Sequence, residues 1–271
     1  MSGSATLVVA QGFHPPGTQE FVYPCYSWSS FLGPNACINR VVVLIFLVLV
    51  VVLALFVLAF SRAKVVPRGL QNVMEAGVDF IRNQIILEVI GPDGLRFLPY
   101  LTTLFFFVFF GNLLGIIPLI NFPVNSRMAV PLFLAIVTWG LFNWVGIREQ
   151  GFGRYVRNTL FPSGIPWPLY LLIAPIEFVS VQLVRPVTLS VRLLANMVAG
   201  HLILTVFFLA TAYMLSPLLS GRFSILSVFA VGSFALSVIL VGFELLVAAL
   251  QAYIFTILNA VYLAGALEPE H

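Results

Sequence analysis

Two apolar runs near the C-terminal end are too long for an ordinary membrane helix. Trp167 to Leu215 is 49 residues and Phe223 to Leu267 is 45, and the whole stretch carries only five charges: Glu177, Arg185, Arg192, Arg222 and Glu244. As straight helices each would measure roughly 70 Å, more than twice the hydrocarbon thickness of a bilayer. Neither run contains an internal polar turn, which argues against four upright spans. What remains is two strongly tilted helices closing one hairpin near Ser216 to Arg222. Membrane helices tilt by about 20° on average, so something other than lipid must shape these two, and a curved protein partner would do so.

Composition narrows the class further. Hydrophobic residues make up 61% of the 271 and charged residues only 8%, against roughly 25% charged in a soluble protein. Ten acids and thirteen Lys/Arg cannot wet a soluble body of this size. A water-soluble enzyme, a nucleic-acid binder and a disordered chain are excluded. The basic residues are dispersed and all but Lys64 are Arg, so the net charge of +3 makes no nucleic-acid patch. Cys25 and Cys37 are the only cysteines; a disulfide between them is open if their segment is extracytoplasmic. No Lys or Arg precedes Arg40, so residues 1–37 do not read as a secretory signal.

Three further apolar runs, Val41–Phe60, Phe97–Ile120 and Met128–Ile147, bring the expected crossings to five. The loops 61–96 and 148–164 hold eight Lys/Arg, the opposite set only Arg40, Arg127 and Arg222. The richer side is expected to be cytoplasmic, with the N-terminus outside and the C-terminus inside. Residues 68–90 place Leu70, Met74, Gly77, Val78, Ile81 and Ile85 at helical spacing, with Glu75, Asp79, Arg82 and Glu88 on other faces. That pattern predicts an amphipathic helix along the membrane face. The expected fold is thus an all-α polytopic membrane protein with five crossings and one interfacial helix. Its divisions are 1–37 extracytoplasmic, 38–64 first span, 65–96 amphipathic helix, 97–149 hairpin, 150–165 cytoplasmic loop and 166–271 long hairpin.

Charge inside a membrane marks function by default. At 100° per residue from Arg192, Arg185 falls at about +20°, Thr188 −40°, Asn196 +40°, Glu177 −60° and Gln182 +80°. His201 falls at about 180°. From Glu244, Gln251 lies at about −20°, Ser237 +20°, Ser233 −20°, Asn259 +60° and Tyr262 0°. Each helix therefore carries a polar stripe. A buried Arg192–Glu244 ion pair, with Ser, Asn and Gln as interhelical glue, is the plain structural reading. Two stripes at one depth favour proton or ion translocation, with Arg185, Ser233, Ser237 and Asn259 in support. No nucleotide-binding phosphate loop is present and three histidines form no metal-ligand spacing, so neither metal nor cofactor is expected. A secondary transporter would more often show internal repeats, and a passive scaffold leaves the stripes without a purpose.

The segment Arg185-Pro-Val-Thr-Leu-Ser-Val-Arg192-Leu-Leu-Ala-Asn196-Met-Val-Ala-Gly-His201 resembles the signature of subunit a of bacterial F-type ATP synthases. Ala174-Pro175-Ile176-Glu177-Phe178, Asn112-Leu-Leu-Gly-Ile-Ile-Pro118 and Leu250-Gln251-Ala252-Tyr253-Ile254-Phe255 resemble the same family. The likeness runs from about Pro67 to the C-terminus. It implies a non-catalytic stator subunit of the plasma membrane, pressed against a ring of c subunits and held by b-type peripheral stalk subunits. It further implies Arg192 as the essential arginine, and Asn196, His201, Glu244 and Gln251 on the outer proton path. Glu177 and Ser180 fall near the cytoplasmic exit. Many relatives carry an acid where His201 stands and a His where Glu244 stands, an exchange which suggests that the two side chains meet.

Overall fold

The computed structural model describes residues 40–117, 127–160, 169–219 and 225–267. The Cys25–Cys37 pairing and the fold of residues 1–37 lie outside them. Among the described residues there is no strand. Helix α1 is Arg40–Phe60, α2 Leu70–Ile81, α3 Leu98–Ile116 and α4 Ala129–Gln150. Short α5 is Phe152–Leu160, followed by α6, Tyr170–Val179. The two long elements are α7, Arg185–Leu219, and α8, Ile225–Leu267. Five stretches are long and apolar enough to cross a membrane: Val41–Phe60, Pro92–Ile116, Ala129–Gln150, Leu172–Pro217 and Val228–Leu267. The protein is an all-α polytopic membrane protein.

Packing follows the apolar spacing. Helix α1 buries Val41, Leu44, Val48, Val52 and Ala59 against α2 and α3, and leaves Val43, Phe46, Val50, Leu53, Val57 and Leu58 exposed. Spacings of three and four put the first set on one stripe; the second lies on the uncovered side. Helix α2 buries Met74 and Ile81 as its pattern predicts, and also Gln71, whose amide donates to the Lys64 carbonyl and to Glu75. A π-turn, Arg82–Ile86, continues it and buries Ile85 and Ile86. Aromatic contacts join the layers. Phe56 meets Phe106 edge-on at 5.3 Å, and Phe80 packs on both Phe105 and Tyr253. Such pairs contribute about 0.5–1.5 kcal/mol each beyond area burial.

Helices α7 and α8 form the expected hairpin, and α8 packs on α3 and α4 as well as on α7. At 1.5 Å per residue, Leu172–Pro217 measures about 69 Å and α8 about 64 Å. Both leave most of their apolar surface uncovered. One feature departs from a uniform helix. Residues Ser180–Val184 form a π-turn in which the Arg185 N–H bonds the Ser180 carbonyl, five residues back. The cause stands two positions on: Pro186 has no N–H, and in an α-turn its ring would strike the Gln182 carbonyl. The wider turn relieves that clash. It also inserts one residue of rotation, so Glu177 moves from about −60° to about +40° relative to Arg192, the bearing of Asn196.

Candidate functional site

Helix α7 splits cleanly by exposure. Val191, Arg192, Ala195, Asn196, Ala199 and Ile203 are exposed, while Leu189, Leu193, Met197, His201 and Leu204 are buried against the rest of the protein. Arg192 therefore stands on an uncovered face whose other residues, apart from Asn196, are apolar or small. It makes no ion pair or hydrogen bond with any described residue; the Arg96–Glu149 ion pair is exposed and far along the chain from it. A guanidinium within an apolar span, with no acid beside it among the described residues, is costly unless a partner or water meets it. His201 is 3% exposed on the opposite side, as the helical phase predicts, and its carbonyl accepts from Thr205 Oγ1 at 2.8 Å.

Glu244 is buried between the long helices at 5% exposure, and its Oε2 finds no hydrogen-bond partner among the described residues. Gly200 makes its position possible. A Cβ at residue 200 would stand 2.9 Å from Glu244 Oε1 and 3.3 Å from Cδ. The acid thus lies beside the residue preceding His201. It lines a cavity of about 280 Å³ together with Asn196, Ala199, Gly200 and Ile203, which share the Arg192 side of α7; His201 does not line it. One turn nearer the arginine, Asn196 Nδ2 donates to Gln251 Oε1 at 2.6 Å.

A second cavity, about 270 Å³, lies at the other end of α7's Arg-rich segment. Glu177, Val181, Arg185, Tyr155, Asn158 and Tyr262 line it. The Arg185 guanidinium sits over the Tyr262 ring at 5.3 Å, a cation–π contact that holds the charge without neutralising it. Ser180 opens the π-turn and is half-buried. Along α7, Arg185 is about 10 Å from Arg192 and Gly200 about 12 Å on its other side. Two cavities therefore flank Arg192, one lined by several polar groups and the other mostly apolar apart from Asn196 and Glu244.

The supporting residues divide differently from the sequence expectation. Ser233 meets Thr211 Oγ1 at 2.8 Å, and buried Ser237 donates to its own helix at the Ser233 carbonyl. Asn259 accepts from Thr138 and from Tyr100 on α4 and α3. Ser233 and Asn259 thus tie helices together and Ser237 bonds within its own, all away from both cavities. Thr211, Thr138, Tyr100 and Tyr155 were not singled out by sequence; a lone hydroxyl on an apolar helix carries no mark of which neighbour it will face. Among the described residues no His, Cys, Asp and Glu group could hold a metal ion.

The family model described as ATP synthase A chain matches residues 41–264. The chain belongs to the ATP synthase subunit a family. It is 42% identical to the ATP synthase subunit a of Rhodococcus erythropolis over 268 residues, covering 98% of this chain and 95% of the relative. The Parafrankia sp. subunit a is 43% identical over 270 residues, covering 98% and 88%, and that of Gluconacetobacter diazotrophicus 41% over 236, covering 87% and 91%. Membership in the family makes the chain a membrane component of an ATP synthase.

Proposed function

We propose that this subunit a provides two proton half-channels that meet, without joining, at Arg192 beside a rotating ring of c subunits. The observation that carries the reading is Arg192 itself, exposed on α7 with no ion pair or hydrogen bond to any described residue, between a cavity that holds Glu177 and one that holds Glu244. A ring carboxylate facing lipid stays neutral, because a bare charge there is costly. Beside a guanidinium at ~4–6 Å its pKa falls by about 1–3 units, so it gives up its proton there. The proton leaves through one cavity, and the acid reloads from the other. Arginine suits the divider: it is never deprotonated, so it cannot pass a proton between the cavities. Its broad fork can also hand over from one carboxylate to the next.

The cavity holding Glu177 and Arg185 lies on the side of the Arg-rich loop helix α5, which the positive-inside rule makes cytoplasmic. Glu177 and Ser180 then serve the exit. Glu244, with Asn196, Gln251 and His201, serves the outer path. The membrane potential contributes about 2.3 kcal/mol per charge per 100 mV to the transfer. Arg192→Ala, expressed within the whole complex in membrane vesicles, is expected to insert normally but abolish proton-driven ATP synthesis. Wild-type synthesis by that variant would falsify the reading.

A further inference from the structure

Pro186 accounts for the π-turn at Ser180–Val184 but not for where that turn sits against its neighbours. Four side chains from three elements converge there. Trp139 Nε1 donates to Gln182 Oε1 at 2.7 Å, and the Asn143 and Gln182 amides bond each other reciprocally, at 3.2 and 3.4 Å. Asn143 Nδ2 also donates to the Trp139 carbonyl at 2.8 Å, which sets the amide's orientation along α4. Tyr155 of α5 closes the set by donating its hydroxyl to Asn143 Oδ1 at 3.0 Å. The Tyr155 ring reaches this place because residue 146 is glycine; a Cβ there would lie 2.3 Å from the ring. Burial raises the Tyr155 pKa, against the opposing effects of Thr159 and the nearby Arg185 charge, so its hydroxyl keeps the proton it donates throughout the neutral range.

We infer that Gln182 and Asn143 are positioning residues, a reciprocal amide pair that clamps the π-turn to α4 and so aims Glu177 into the chamber it shares with Arg185. Neither amide lines that chamber, whereas Tyr155 both joins the network and forms part of the wall. Pro186 still bars the α-turn, so loss of the clamp frees the wider turn to shift and rotate against α4 instead. Glu177 would then leave the bearing of Asn196 and the chamber would lose its carboxylate. The consequence for proton release rests on the function proposed above; the geometric part does not.

The test uses the whole complex in membrane vesicles. With Glu177→Cys as a reporter, a water-soluble maleimide is expected to label position 177, and adding Gln182→Leu or Asn143→Leu to cut that labelling about fivefold. Exchanging the amides, Gln182→Asn with Asn143→Gln, keeps the summed length of the pair and is expected to restore labelling to within about twofold. In chains that retain Glu177, each Leu variant should slow ATP-driven proton pumping about tenfold, with recovery in the exchange. Should Gln182→Leu fail to insert, Asn143→Leu and the exchange carry the same comparison. Unchanged labelling at 177 in the Leu variants overturns the inference, as does an exchange no better than either single change. The outcome is separable from that of Arg192→Ala: altered labelling beside an active Arg192→Ala variant upholds the clamp and removes only its role in proton release.

Discussion

Substituting Gly200 tests the outer path without touching an ionisable group. In Gly200→Ala the new methyl would stand 2.9 Å from Glu244 Oε1, 3.3 Å from Cδ and 3.6 Å from Cγ. Ordinary contact needs about 3.5–4.0 Å, so the carboxylate must withdraw by roughly 0.5–1 Å. It is the far end of a flexible chain, so the retreat takes an off-rotamer torsion costing about 0.5–1.5 kcal/mol. Replacing a helix-interior glycine by alanine returns about 0.8–1.0 kcal/mol of helix propensity. The two nearly cancel, so insertion, complex assembly and thermal stability should match wild type to within about 1 kcal/mol. Transfer geometry has no such compensation, and a misplacement near 1 Å can slow a reaction by about a hundredfold. Proton-driven ATP synthesis in vesicles, and proton pumping read by a pH-sensitive dye, are therefore expected to fall about ten- to a hundredfold. Adding Glu244→Asp, which withdraws the carboxylate by one methylene, should recover part of the loss. Gly200→Ala vesicles that pump at the wild-type rate would refute the assignment of Glu244 to the path.

Asn259→Leu removes the acceptor shared by Thr138 and Tyr100 inside the bundle. Thr138 keeps the Leu134 carbonyl and Tyr100 keeps Thr138, so the loss should destabilise the purified subunit by about 0.5–1.5 kcal/mol in a detergent melt, with coupled transport intact at lower temperature; a transport defect without a stability loss would place Asn259 on the path instead. Gly146→Ala drives a methyl into the Tyr155 ring at 2.3 Å. Overpacking of this kind costs about 1–3 kcal/mol and should loosen α5, seen as faster proteolysis within residues 152–160 in sealed vesicles. Proteolysis at the wild-type rate would show that α5 is held by other contacts.

Legibility differed by element. Long charge-free runs declared themselves, because a bilayer admits few ways to bury a continuous apolar helix, and the five stretches match the five expected crossings. The buried and exposed faces of α7 were readable too, since one periodicity governs the whole helix after Arg185. Glu177 was misplaced for the same reason: constant rotation was carried through Pro186, and the π-turn broke it. The Asn196–Gln251 bond and the seating of Glu244 on Gly200 depend on where two helices touch. Neither helix encodes that separately.

Sequence alone determined the membrane class, the oversized hairpin and the presence of an arginine within it, since hydropathy and helical rise are properties of single segments. Tertiary structure decided which polar groups meet. It paired Asn196 with Gln251, tied Ser233 to Thr211 and Asn259 to Thr138, and left Arg192 facing outward with no acid among the described residues. The physical reason is range: apolar burial acts along each helix, whereas a hydrogen bond forms only within about 3 Å, a distance set by the packing of several helices at once.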